Sequence, residues 1–127
     1  MVHRLPDTSW QIEHDDDLWQ VFRAMGNGFK ALLMHASDGK HIELVGKDEN
    51  GNAEFYVKLE IMEELQSCGF VKVMRDNLPN GTDESYELSD EGMRIYETLK
   101  RMSPEESKGE FLSQFRKYRR ESNTKTQ

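Results

Sequence analysis

Residues 55–102 carry the clearest pattern of apolar and polar positions in the chain. Helical spacing of apolar residues predicts a helix that ends at Cys68-Gly69, with a stripe made by Leu59, Ile61, Met62, Leu65 and Phe70. Gly69 supplies the left-handed conformation that is common just beyond a helix end. Alternation over residues 70–75 and again over residues 85–88 then predicts a β-hairpin with a long, turn-rich tip.

A second helix is predicted directly after this hairpin. Ser89 is a favourable N-cap residue, and the apolar stripe that follows it contains Met93, Ile95, Tyr96, Leu99 and Met102. The two stripes predict a unit in which two amphipathic helices enclose an antiparallel hairpin. In this unit Val71 and Tyr86 belong to the same sheet.

The residues upstream give weaker signals. Residues 1–15 show no periodicity and are expected to form an extended arm, and the apolar residues after Asp15-Asp16-Asp17 predict a short helix with acids at its N-terminus. Three adjacent aspartates would point in different directions on a helix, which argues against a metal site. Residues 29–57 stay open between helix and strand, with strands favoured because Asn50-Gly51 is a strong hairpin signal.

The segment from Glu64-Leu65 to Gly69-Phe70-Val71, the hairpin after it, and the stretch from Tyr86 to Gly92 with its helix resemble winged-helix (winged helix-turn-helix) domains of transcription regulators. The resemblance covers about residues 55–102. It implies an α+β fold that has a small antiparallel sheet and three to four helices, and the residues that follow predict a C-terminal helical extension. It also implies a recognition helix ending near Cys68, a wing tip at residues 75–84, and DNA binding in transcriptional control.

One feature departs from the family. A standard winged helix has a helix-turn-helix before its recognition helix, whereas residues 37–57 of this chain predict a hairpin. The length of 127 residues indicates one domain with its own core. The expected layout is an arm at 1–15, a winged-helix-like domain at 16–102, a C-terminal amphipathic helix at 103–121 and a disordered tail at 122–127.

The C-terminal helix combines an apolar stripe with a basic cluster. The stripe contains Phe111, Leu112, Phe115 and Tyr118, and it is expected to pack on the domain or on a second subunit, which would make a homodimer. The cluster is Arg116-Lys117-Tyr118-Arg119-Arg120, and its alternative role is to contact phosphates.

The formal net charge of −7 means that DNA binding would need a local basic patch. The candidate residues for contact with double-stranded DNA or another partner are Lys58, Lys72, Arg75, Arg116, Lys117, Arg119 and Arg120. Carboxylates at positions such as Glu60, Glu63 and Glu64 outnumber the cations of the recognition helix. The alternative function is therefore an acidic protein-interaction module, of the kind found in phage- or plasmid-type accessory systems, that binds a basic protein instead of DNA.

The remaining side chains predict no enzyme, cofactor or metal. His35 and His41 are expected to face one another across a hairpin, which is a weak zinc signal because two further ligands cannot be nominated. Cys68 has no adjacent His, Lys or Arg and is expected to be a packed residue. No stretch is apolar enough to span a bilayer, and a cytoplasmic location is expected.

Overall fold

The computed structural model describes residues 8–37, 39–49, 51–78 and 81–125; the side chains of 8–13, 36, 48, 75–78, 81–83 and 120–125 are outside this description. The described chain forms an α+β fold with four helices and one five-stranded antiparallel sheet. In chain order the elements are α1 (Thr8–Gly26), β1 (Lys30–Ala36), β2 (Gly39–Asp48), β3 (Gly51–Lys58), α2 (Leu59–Ser67), β4 (Val71–Leu78), β5 (Gly81–Leu88), α3 (Asp90–Leu99) and α4 (Pro104–Lys125).

The sheet has the strand order β3-β2-β1-β5-β4. The first three strands form a meander, so the interpretation of residues 29–57 as strands is confirmed. Pairing of Ala31 with Tyr86 joins this meander to the later β4–β5 hairpin, in which Val73 is also opposite Tyr86. The described residues between α1 and α2 form β1, β2 and β3 and no helix. A helix-turn-helix would need a helix at this place in the chain.

The order of the predicted helix–hairpin–helix unit is confirmed, with two corrections. Strand β4 runs to Leu78 and β5 starts at Gly81, so most of the predicted turn-rich tip is strand. Met93 and Met102 of the second predicted stripe are exposed, and Met102 lies beyond the end of α3.

Helix α2 ends at Ser67, Cys68 is its C-cap, and Gly69 has a φ of 84°. Val71 and Tyr86 lie in the same sheet, in the β4–β5 hairpin. The Ser89 hydroxyl accepts a hydrogen bond from the Gly92 backbone N–H and so caps α3.

The helices cover one face of the sheet. Side chains that alternate toward them are buried, namely Ala31, Ile42, Leu44, Val71, Tyr86 and Leu88. The intervening side chains point the other way, and Tyr56 and Met74 are 58% and 38% exposed. This opposite side, called here the open face, also carries Lys30, Leu32, Met34, Glu43, Val45, Glu54 and Lys58.

Helix α4 is part of the same core. Phe111 is fully buried, with its ring centroid 4.7 Å from that of Phe22, 5.4 Å from Trp19 and 6.1 Å from Phe70. Phe115 is also buried. Because the apolar stripe of α4 is used inside the chain, the expectation that it packs on its own domain is confirmed, and it does not offer the dimer surface considered from the sequence.

Two predicted boundaries are wrong. Helix α1 begins at Thr8, so residues 8–15 are helical and not an extended arm. Its aspartates lie in the middle of the helix, where Asp16 pairs with Lys108 and Asp15 with Arg116 of α4. These ion pairs across two helices could not be read from local periodicity. Helix α4 continues to Lys125, so residues 122–125 are helical, while residues 1–7 and 126–127 lie outside the described chain.

Candidate binding face

Helix α2 has one buried and one solvent-facing side. Ile61, Met62 and Leu65 are buried in the core, as their helical spacing requires. The exposed positions between them carry Glu60, Glu63, Gln66 and Ser67. The side of α2 that faces solvent therefore presents two carboxylates and an amide, and no cation.

Glu63 also influences the β4–β5 hairpin electrostatically. Burial raises the pKa of the Tyr86 hydroxyl, and the carboxylates of Glu84 and Glu63 raise it further. Of these two carboxylates, Glu84 lies opposite Arg75 within the hairpin, whereas Glu63 is on the exposed side of α2. Glu60 and Glu63 are called the acidic face below.

Among the candidate cations near α2 and the hairpin, Lys58 and Lys72 do not lie on the solvent-facing side of α2. Lys58 is the N-cap residue of α2 and belongs to the open face at the end of β3. Lys72 also lies on the open face, where its ammonium is 3.3 Å from the Glu87 carboxylate on the next strand. Arg75 pairs with Glu84 through the backbone register of the hairpin, and its side chain lies outside the described part.

The two described arginines of the C-terminal cluster contact carboxylates of the same chain. Arg116 lies 3.1 Å from Asp15 on α1, and Arg119 lies 3.1 Å from Glu64 on α2. Lys117 is exposed, and the side chain of Arg120 is among those that are not described. Arg116 and Arg119 therefore help to hold α4 against the other helices.

Glu64 connects three helices. One oxygen of its carboxylate contacts Arg119 of α4. The other oxygen contacts the His14 imidazole of α1, but this contact is not aligned as a hydrogen bond. The Glu64 side chain is only 20% exposed, so this contact lies partly within the protein. A clue was present in the sequence, because Arg116 and Arg119 flank the apolar stripe of α4 at Phe115 and Tyr118. Long side chains beside a buried stripe often reach across to the next helix.

The sites considered for metal and thiol chemistry have a structural explanation. His35 is opposite Lys40, and His41 is opposite Met34, so the two imidazoles do not face one another as expected. No group of three potential metal ligands occurs among the residues that the structure describes. Burial raises the pKa of the Cys68 thiol to about 12, and the thiol donates to the Glu64 carbonyl oxygen over 3.2 Å. Cys68 is thus a packed residue.

One cavity of about 310 Å³ lies between α1 and α3, with Trp19, Tyr96 and Leu99 in its lining. Its volume is at the lower limit of ordinary small-molecule pockets. Arg23 and Lys100 are the cations of the lining, and Lys100 is already 2.6 Å from Glu97. The cavity therefore presents less distinctive chemistry than the acidic face.

No described helix is long and apolar enough to cross a membrane. Comparison of the chain with protein-family models, with curated proteins and with solved structures found no match.

Proposed function

We propose that this chain is a non-enzymatic, cytoplasmic regulatory protein of the winged-helix type that binds a basic surface on another protein. The order of α2, the β4–β5 hairpin and α3, with β1 paired to β5, supports the winged-helix interpretation. In this interpretation the β2–β3 hairpin replaces a helix that the family places before its recognition helix. The corresponding recognition helix is α2.

The acidic face carries the proposal. In a winged-helix protein that reads DNA, the exposed side of the recognition helix meets the major groove and offers groups that bond to bases and phosphates. Here that side offers Glu60 and Glu63. Like charges repel, so this surface suits a partner rich in Lys and Arg better than a polyanion.

The C-terminal cluster does not reverse this preference. For Arg116 and Arg119 to contact phosphates, they would have to leave Asp15 and Glu64. Release of Arg119 would leave the partly buried Glu64 carboxylate with less compensation, which is unfavourable in a region of low water access. Binding of DNA through this helix would therefore weaken its attachment to the domain.

The test compares two labelled probes by fluorescence anisotropy: a Lys- and Arg-rich peptide and a mixed-sequence DNA duplex, each at two salt concentrations. We expect salt-sensitive binding of the peptide and no binding of the duplex at micromolar protein. The Glu60→Gln/Glu63→Gln variant should bind the peptide about three- to tenfold more weakly, because each rim charge contributes on the order of 0.5 kcal/mol.

The matched control is Glu105→Gln/Glu106→Gln, which removes two exposed carboxylates from the first turn of α4. It has the same net charge as the first variant, so equal weakening by both would mean that total charge, and not the acidic face, attracts the peptide. Salt-sensitive binding of the duplex by the unaltered chain would favour the DNA-binding alternative instead.

A further inference from the structure

Strand β3 forms one edge of the sheet, and no described strand pairs with its outer side. Its eight residues pair with β2 in one continuous register, from Lys58 opposite His41 to Gly51 opposite Asp48. Natural proteins usually protect an edge strand by shortening it, by a bulge, by proline or by charged side chains. Strand β3 has no bulge and no proline, and its charged residues are Glu54 and Lys58, so its outward N–H and C=O groups accept another strand only where that strand compensates these two charges.

The open-face side chains of this edge are Glu54, Tyr56 and Lys58. Glu54 lies beside Glu43 of β2, and a hydrogen bond between the two carboxyl groups raises the pKa of Glu43. Lys58 makes no ion pair with any other side chain that the structure describes. Glu54, which already lies beside another carboxylate, is thus two residues before the exposed Tyr56. Lys58, which forms no ion pair with a described side chain, is two residues after Tyr56.

A second copy of the chain can meet both charges in only one register. Two identical edges pair in antiparallel fashion around a two-fold axis normal to the sheet, and opposed residues must point to the same face. An axis through Tyr56 places Glu54 of each copy opposite Lys58 of the other. An axis one residue earlier, at Phe55, places Glu54 opposite Tyr56, and an axis at Glu54 places that carboxylate opposite itself.

We propose that β3 is a dimerisation edge, at which a second copy of this chain adds its own β3 around Tyr56 and forms two Glu54–Lys58 pairs. The result is a continuous ten-stranded sheet with all helices on one side. Opposite charges directly across strands stabilise such pairing, and like charges weaken it. The interface uses β3 and not the acidic face, so it stands even if no basic partner is bound.

The test is sedimentation equilibrium of the full chain over a range of about 5 to 500 µM, since the dimer fraction depends on concentration. The average mass should rise from the 14.9 kDa of one chain toward twice that value. In a dimer of Glu54→Lys chains, the introduced lysine lies opposite Lys58 of the other copy. In a dimer of Lys58→Glu chains, the introduced glutamate lies opposite Glu54 of the other copy. Each variant alone should dimerise at least about tenfold more weakly.

Mixing these two variants provides the decisive measurement. In a mixed dimer the lysine introduced into one copy meets the glutamate introduced into the other, while the second pair keeps its natural Glu54 and Lys58. The mixture should therefore dimerise more tightly than either variant alone.

The control is Lys30→Glu, which makes the same charge change as Lys58→Glu on the open face of β1, away from the edge. A chain that stays at 14.9 kDa throughout, or a mixture no better than its components, would overturn the proposal. So would a dimer that Lys30→Glu weakens as much as Lys58→Glu does.

Discussion

Replacement of Phe111 by alanine tests whether α4 belongs to the core. The ring is fully buried and lies between the aromatic rings of Trp19, Phe22 and Phe70, with its closest centroid distance of 4.7 Å to Phe22. Removal of a buried phenylalanine ring costs about 3–5 kcal/mol, because apolar burial is lost and a cavity remains. The surrounding rings come from α1 and from the segment after α2, so they cannot close the gap by moving one side chain.

The measurement is urea denaturation followed by far-ultraviolet circular dichroism. With a denaturant dependence of about 2 kcal/mol per M for a domain of this size, the midpoint should fall by about 1.5–2.5 M urea. Lys117→Ala on the same helix is the control, and as an exposed substitution it should change stability by less than about 0.5 kcal/mol.

A loss below about 1 kcal/mol for Phe111→Ala would refute the reasoning, given the usual cost of removing a buried ring. It would mean that α4 is an appendage that detaches without cost to the remaining fold. A two-step transition in the unaltered chain would point the same way, since a separate α4 would unfold before the sheet.

Further outcomes are expected at two helical glycines, at Glu91 and at Cys68. Gly92→Ala should lower the melting temperature, because a Cβ at this position would overlap the Phe70 carbonyl oxygen. A Cβ at Gly109 meets open space, so Gly109→Ala should raise stability by about 0.5–1 kcal/mol through better helix propensity. Hydrogen bonds from Arg94 and Tyr118 lower the pKa of Glu91 from 4.5 to about 2. The ionised Glu91 therefore stabilises the fold fully above about pH 4.5, and this stabilisation is lost as the pH falls toward 2. The difference in stability between the unaltered chain and Glu91→Gln should shrink over that pH range. Cys68, with a pKa of about 12, should react with Ellman's reagent at pH 8 only slowly until urea unfolds the chain, and rapid labelling of the native protein would contradict its burial.

The middle of the fold could be predicted from the sequence because its signals are local. The stripe on α2, the φ of 84° at Gly69 and the cap at Ser89 each depend on residues within one or two turns of the chain. Hydrophobic spacing and turn residues report such structure directly.

The beginning of α1 and the roles of the charged residues depend on distant partners. The sequence predicts that Asp15 lies at the N-terminus of a helix. In the structure Asp15 lies in the middle of α1 and pairs with Arg116, about a hundred positions away in the chain. The position of Arg119 beside the apolar stripe indicates that it can reach a neighbouring helix, but the sequence does not identify Glu64 as its partner. The acidic side of α2, in contrast, follows from local spacing and is predictable.

The base of the β4–β5 hairpin is fastened by one residue. Ser89 donates its hydroxyl to the Gly69 carbonyl oxygen over 2.5 Å, and its backbone N–H donates to the Phe70 carbonyl oxygen over 3.0 Å. The chain entering the hairpin is thereby tied to the chain leaving it. Loop-closure cost grows slowly with length, so the tip can be lengthened or replaced while both flanking helices keep their positions. A new recognition segment could therefore be inserted at the tip of this hairpin without changes to the rest of the fold.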